Sequence, residues 1–422
     1  MQTSEDRVAK SAPEAATTSK AAAPPRKTQR PPLSNPLKAL FSAASTTLRS
    51  QYFRLRDRLL TQRAIRQRAA SCPLTRPLVR RRAQALFDLT AGFLYFQVLH
   101  ACVRLDLFAI LARAPATVDD LAARFDLPPD NLQRLLDAAV ALRLLSIRDG
   151  HRISQGNRSK LYGLGDLGVA MVDEPGLAAM VRHHAALYDD VADPIRLIQH
   201  GASETQLHHY WSYAATEQPR DLKPSEVTDY SNLMAQSQSF IADEVIASYR
   251  FAQHASMVDI GGGQGAFAER VARAAPNLNI TVFDLPAVAE IATARFDEAN
   301  LSPRCRAIGG SFFTDPLPAQ SELMTLVRVC YDHPDERVSQ LLRAVFTALR
   351  PGGRLLIAEP MSGVSGSIAG EAYFGLYLLA MGRGRSRSPE DFFQLLQATG
   401  FQSFRRISTR LPLQTSVIVA HK

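Results

Sequence analysis

From residue 255 to the carboxyl terminus, short apolar runs alternate with amphipathic stretches. SMVDIG, NITVFDLP, RCRAIGGSFF, LMTLVRVCY, GRLLIAEP and the terminal LQTSVIVAHK read as strands. GAFAERVARAA and ERVSQLLRAVFTAL, apolar at spacings of three and four, read as helices between them. Strand and helix taking turns predict a parallel α/β sheet covered on both faces. FQSFRRISTRLP, just before the last run, predicts a closing hairpin at the sheet edge.

Earlier in the chain the period is helical. ALFDLTAGFLYFQVLHACVRLDLFAILA predicts a long apolar helix followed by a second, and TVDDLAARFDLPPDNLQRLLDAAVALRLLSIRDGHRIS predicts helix, turn, helix and a small hairpin. Thr117 with Asp120 is an N-cap signal, Pro128 and Pro129 break the chain, and leucines recur at helical spacing from Asn131 to Leu145. That is a winged-helix outline. Its second helix carries Arg134 against Asp130 and Asp137, so a structural or dimerising role fits and nucleic-acid binding is not expected. Residues 171–250 read as a helical connector. His208 and His209 within it are adjacent, hence on different helix faces, and do not suit a shared metal.

Charge divides the chain further. Residues 1–82 hold 18 Lys and Arg against 4 Asp and Glu, leaving 31 against 36 in the remainder, so one end is strongly basic and the body mildly acidic. Residues 1–45, rich in Ala, Pro, Ser, Thr and Lys, have the composition of a disordered tail. Residues 46–82 place Leu48, Tyr52, Leu55, Leu59 and Ile65 among many arginines and predict a basic amphipathic helix. Such a helix suits a solvated arm, packing on the body, or an anionic membrane surface. The apolar stretch Leu89–Val103 is shorter than the ~20 residues of a membrane span. Cys72, Cys102, Cys305 and Cys330 are widely separated without metal-ligand spacing, which fits a reducing, cytoplasmic setting and no metal site. The expected organisation is a tail over 1–45, a basic segment over 46–82, a winged-helix domain over 83–170, a connector over 171–250 and an α/β domain over 251–422.

The candidate chemistry lies in VDIGGGQG, residues 258–265, between the first strand and the first helix of the α/β region. Gly261-x-Gly263-x-x-Ala266 satisfies a dinucleotide fingerprint, and Asp284 ends the next strand at the distance a ribose-binding carboxylate needs. A nicotinamide cofactor is therefore open on this motif alone. Asp259 before the glycines, the additional Gly262 and Gly265, and the turn LRPGGRLLIAEP together resemble the class I S-adenosylmethionine-dependent methyltransferases. Their fold is Rossmann-like, and Asp284 would accept both ribose hydroxyls.

Residues 83–422, with VDIGGGQG, FDLP, GGSFF and RVCYDHPDE in order, resemble the O-methyltransferase family of the plant caffeic acid and bacterial hydroxyindole type. The basic amino-terminal region, YDHPDE and EAYFGLYLLAMGRGRSRS are most similar to the carotenoid hydroxyl O-methyltransferases of purple photosynthetic bacteria. The resemblance implies a homodimer, S-adenosylmethionine as methyl donor, and an acyclic 1-hydroxycarotenoid of the demethylspheroidene or hydroxyneurosporene type as acceptor. A peripheral position on the inner or intracytoplasmic membrane would suit that substrate. It implies cofactor contacts from Met234, Ser237, Asp259, Gly261, Gly263, Asp284, Leu285, Ser311, Phe312 and Arg328.

The chain departs from the family at four places. Ser311 stands where an aspartate usually meets the adenine amine, Tyr331 where HDWSDE has its histidine base, and His333 where that motif has tryptophan. Glu359 matches the carboxylate that orients the base, whereas Ser386 replaces its second carboxylate. The expected catalytic set is His333 as proton acceptor, Tyr331 orienting the hydroxyl and Glu359 tuning either. A tertiary alcohol releases its proton only as the C–O bond forms, so placement weighs more than basicity. Phe93, Tyr95, Phe96, Tyr373, Phe374, Tyr377 and Met381 are read as core or as the lining of a long apolar pocket. Two other readings share parts of the pattern: C-methylation of a bacteriochlorophyll-type tetrapyrrole, and a non-catalytic winged-helix regulator.

Overall fold

The computed structural model describes residues 36–154, 157–172, 174–210, 234–235, 238, 241–366, 368–412 and 414–422. Residues 1–35 of the expected tail and Ser237 lie outside the described residues. The chain divides into two units, Met1–Thr90 and Ala91–Lys422.

In the first unit α1 (Pro36–Thr61) starts ten residues before the expected end of the tail. Proline at the first helical position is preorganised for a helix, and the Leu- and Ala-rich run after it favours propagation. The single basic helix expected over 46–82 is instead three pieces. α1 ends at Thr61, where Arg66 donates to the carbonyls of Leu60 and Thr61, and α2 (Arg63–Ser71) follows. Cys72 is then extended at φ −73° and ψ 127°, because Pro73 disfavours the helical region for the residue before it. α3 (Arg76–Arg104) carries the apolar stretch, and its 29 residues make it long and apolar enough to cross a membrane by length and composition. Reading only Leu89–Val103 underestimated it.

The second unit opens with a small helical domain: α4 (Leu107–Arg113), α5 (Val118–Phe125), α6 (Pro129–Ala141), and the hairpin β1 (Leu145–Ser154) and β2 (Asn157–Leu164). Thr117 and Asp120 form the capping box that the sequence signals, each side chain accepting from the other's backbone N–H. Leu107, Leu121, Leu132, Leu136, Leu145 and Tyr162 close its core. α7 (Asp166–Val169), α8 (Pro175–Asp190), α9 (Pro194–His200), α10 (Gln206–Tyr210) and α11 (241–248) lead to the sheet domain.

That domain is β3 (Ser256–Ile260), α12 (Ala266–Ala274), β4 (Asn279–Asp284), α13 (Pro286–Glu298), β5 (Cys305–Gly309), β6 (Ser321–Val327), α14 (Asp335–Ala348), β7 (Leu349–Glu359), α15 (Ile368–Met381), α16 (Pro389–Thr399), β8 (Ser403–Ile407) and β9 (Ser416–His421). The strand order is β5-β4-β3-β6-β7-β9-β8; β3 to β7 are parallel, and the antiparallel β8–β9 hairpin completes the edge. One face packs Phe267 and Val271 of α12, the other Val338, Leu341 and Val345 of α14 with Phe392 and Leu396 of α16. Burial on both faces explains the near-continuous apolar runs. The chain winds outward from β3 to β5, then returns to β6, and this reversal places a crevice at the carboxyl ends of β3 and its neighbours.

Candidate active site

The site residues read from the α/β region lie at or just beyond the carboxyl ends of the parallel strands. Beyond β3, Gly261, Gly263 and Gly265 have φ of 66°, 58° and 77°, the left-handed region that glycine enters without a steric penalty. A Cβ at Gly262 would come within 2.5 Å of Asp259 Oδ2, whereas one at Gly263 would meet nothing within 4 Å. The turn is therefore tight beneath and open above. Asp259 lies beneath it, 1 % exposed, accepting from the Thr325 hydroxyl at 2.6 Å. Burial pushes its carboxyl up to about 7, against that hydrogen bond. Asp259 thus holds the turn from below rather than facing the open side.

At the end of β4, Asp284 accepts the N–H of Gly263 and of Leu285, each at 2.7 Å and each on a different oxygen. Each carboxylate oxygen keeps a further lone pair for a diol. Burial raises this carboxyl to about 6, opposed by the two N–H groups. Beyond β5, the Ser311 N–H donates to Asp315. Phe312 leans over the turn, its ring 3.5 Å from where a Gly261 Cβ would stand. A bare open turn, a ribose-sized acceptor pair beside it and an aromatic face fit an adenosine-bearing cofactor.

Beyond β6, Arg328 is left-handed at φ 57°, and its side chain hydrogen-bonds Tyr331. Burial raises the Tyr331 phenol well above its ordinary value, so it stays protonated. Glu359, at the end of β7, accepts the N–H groups of Val329 and Cys330 at 2.9 and 2.7 Å. Burial pushes its carboxyl up to about 8; those donors oppose the rise and Asp332 adds to it. The same turn is held from the other side by Arg387, 1 % exposed, which donates to the carbonyls of Cys330 and His333 at 2.7 and 2.6 Å and pairs with Asp335.

The structure separates two residues that sequence reasoning had joined. Tyr331 packs with Tyr377, Phe374 and Met234. His333 is set edge-on against Phe312 and Phe313, at 5.8 and 5.0 Å between ring centres, on the side of the aromatic cover. Burial, with Arg337, Arg383 and Arg387 near, lowers its imidazole to about 4. The expectation that His333 takes the substrate proton meets this arrangement: one backbone step beyond Asp332 turns its ring to a different wall from Tyr331.

Sequence reasoning missed a polar cluster on the Tyr331 side. His183 Nε2 lies 3.0 Å from the Tyr377 hydroxyl, and His184 Nε2 lies 2.7 Å from that of Tyr373. Burial lowers both histidines to about 4, His183 with a further contribution from His184. The readable signal was spacing: Tyr373 and Tyr377 are four apart and share a face of α15. Arg387 was missed because RGRSRS, quoted only for its resemblance, carries no local signal of burial.

Comparison with known proteins agrees with this geometry. Residues 87–174 match an O-methyltransferase dimerisation domain and residues 189–402 an O-methyltransferase domain. The demethylspheroidene O-methyltransferase of Rhodobacter capsulatus is 41 % identical over 352 residues, 83 % of this chain and 85 % of the relative. That of Cereibacter sphaeroides is 38 % identical over 373 residues, 87 % and 94 % of the two chains. Human N-acetylserotonin methyltransferase, solved in complex with S-adenosylmethionine, superposes with a TM-score of 0.67 at 25 % identity, covering 81 % of this chain and 97 % of that one. Fold, cradle and kinship meet in one conclusion: the chain belongs to the S-adenosylmethionine-dependent O-methyltransferases that carry an amino-terminal dimerisation domain.

Proposed function

We propose that the protein methylates the tertiary 1-hydroxyl of an acyclic hydroxycarotenoid, of the demethylspheroidene or hydroxyneurosporene type, giving a methoxy carotenoid. The observation that carries this reading is the likeness, 41 % identical over most of both chains, to an enzyme named for that acceptor. The site is compatible with it, since a protonated Tyr331 stands where relatives place a histidine base, as an alcohol rather than a phenol would allow.

S-adenosylmethionine supplies an electrophilic methyl group when bound. The open side of the turn at Gly263, shaped with Gly261, would leave room for it, Asp284 would accept the ribose hydroxyls with Leu285 beside them, and Ser311 and Phe312 would line the adenine. Asp259 holds the glycine turn, and Met234 and Arg328 border the side on which the methyl is delivered. Ser237 belongs to the expected set but lies outside the described residues. Tyr331, fixed by Arg328, orients the acceptor hydroxyl, Glu359 fixes the turn, and His333 braces the aromatic cover. Tight placement against Phe374, Tyr373 and Tyr377 would exclude water and supply much of the rate.

The acceptor dissolves in membranes, and the arginine-rich α1 and α2 suit peripheral contact with an anionic cytoplasmic leaflet. The apolar surface of α3, with Leu89 81 % exposed and Phe93 55 %, falls largely within the dimerisation domain and is the surface we assign to a second copy of the chain. The reading is tested with labelled S-adenosylmethionine and detergent-dispersed 1-hydroxycarotenoids beside phenols and tetrapyrroles. Label in a carotenoid methyl ether is the expected result; label only in a tetrapyrrole or a phenol would replace the acceptor and leave the family intact.

A further inference from the structure

The geometry points to the Tyr377–His183 pair as the proton route of the reaction: the acceptor hydroxyl gives its proton to the Tyr377 oxygen, and Tyr377 passes its own to His183 Nε2. This inference rests on the proposed alcohol chemistry.

The requirement comes from Tyr331. A family site with histidine at this position has its acceptor beside the reacting oxygen, but here that position carries a phenol that burial keeps protonated. His333, the other candidate on the same turn, faces Phe312 and Phe313. The phenols packed around Tyr331 offer the proton another route. Tyr377, 4 % exposed, packs in one cluster with Tyr331, and Arg328 interacts electrostatically with both phenols. Behind Tyr377, 3.0 Å away, is His183 Nε2. With its ring proton on Nδ1, His183 accepts at Nε2, so the Tyr377 hydroxyl donates backwards and its oxygen keeps the capacity to accept.

The balance closes without a further reactant. As the new C–O bond forms and the C–S bond breaks, positive charge gathers on the acceptor oxygen, and its proton moves to Tyr377 while the Tyr377 proton moves to His183. The products are the ether, a neutral tyrosine and an imidazolium. A protonated ether is a far stronger acid than any imidazolium, so even a weakly basic histidine receives the proton downhill. Among the described residues, His183 meets His184 on its own helix, Tyr210 from α10 at 4.7 Å between ring centres and Tyr377 from α15, and Tyr377 in turn interacts electrostatically with Arg328. Burial and the neighbouring His184 disfavour the imidazolium, so His183 gives the proton up after turnover instead of storing it. His184, hydrogen-bonded to Tyr373, holds the neighbouring tyrosine in register, and Tyr373 and Tyr377 stack at 5.5 Å.

His183 and Tyr377 are tested together, on whichever acceptor alcohol the wild type methylates, so that a wrong acceptor and a wrong relay give different results. His183→Gln and Tyr377→Phe should each lower kcat about 100-fold, change KM and the Kd for S-adenosylhomocysteine less than threefold, and in combination lower kcat no further than either alone. Wild-type kcat should be level from pH 6 to 8 and fall toward pH 4, and this acid limb should vanish in His183→Gln. Independently of turnover, the imidazole ¹⁵N resonances of His183 should titrate well below the ordinary histidine range and shift on Tyr377→Phe. A kcat within threefold of wild type in folded His183→Gln, multiplicative losses in the double variant, or ¹⁵N shifts indifferent to Tyr377 would each overturn the relay.

Discussion

The Glu359 carboxylate accepts the backbone N–H of Cys330 at 2.7 Å, and through it the end of one strand fixes the turn that follows its neighbour. A carboxyl held at about 8 in the folded protein and near 4.5 when unfolded favours folding in its protonated form. Its stabilising contribution is complete below pH 4.5 and is lost as pH rises toward 8. Glu359→Gln keeps an acceptor and removes the titration. Urea unfolding between pH 5 and 8 should show stability falling less steeply in the variant, by up to about 1.4 kcal/mol per pH unit. Equal slopes in both proteins would mean that Glu359 does not titrate in this range.

Arg387→Lys preserves the charge but not the fork that reaches Cys330, His333 and Asp335 together. Leaving buried carbonyls without donors should cost about 2–3 kcal/mol of stability. Turnover should fall about tenfold as Tyr331 loses its placement, while S-adenosylhomocysteine binding stays within a few fold. Calorimetry and steady-state kinetics on one preparation read both quantities.

For Asp284 the prediction is a pH-dependent affinity. Burial pushes its carboxyl up to about 6, and only the ionised form accepts from a diol with both oxygens. S-adenosylhomocysteine should therefore bind more weakly at pH 5 than at pH 8, and Asp284→Asn should lower affinity about 10–100-fold at pH 8 and abolish the pH dependence. Isothermal titration at the two pH values decides it; an unchanged pH dependence in Asp284→Asn would assign the effect to another group.

Elements whose pattern is local were legible in the sequence. The β3 turn, Asp284 at the end of β4, the capping box at Thr117 and the terminal hairpin each follow from neighbours within a few residues. What distance along the chain creates was not. Arg387 is buried because Cys330, His333 and Asp335 fold around it from more than fifty positions away, and no periodicity of RGRSRS marks that. His183 meets Tyr377 across 194 residues. His333 was assigned to chemistry by its place in a motif, and that place did not reveal its edge-on contacts with Phe312 and Phe313. In α1 the misreading was compositional: Ala and Pro count toward disorder in bulk, although Pro36 before a Leu- and Ala-rich run starts a helix.

The turn from Cys330 to His333 is gripped from one side by Glu359 and from the other by Arg387, through the main-chain atoms of Val329, Cys330 and His333. Side chains at 331 and 333 are thereby interchangeable parts on a fixed mount. A histidine can give way to a phenol, and a tryptophan to an imidazole, without the mount moving. The proton acceptor can then migrate to another helix, and one scaffold can pass from acidic phenols to alcohols by exchanging fittings and leaving its frame unaltered.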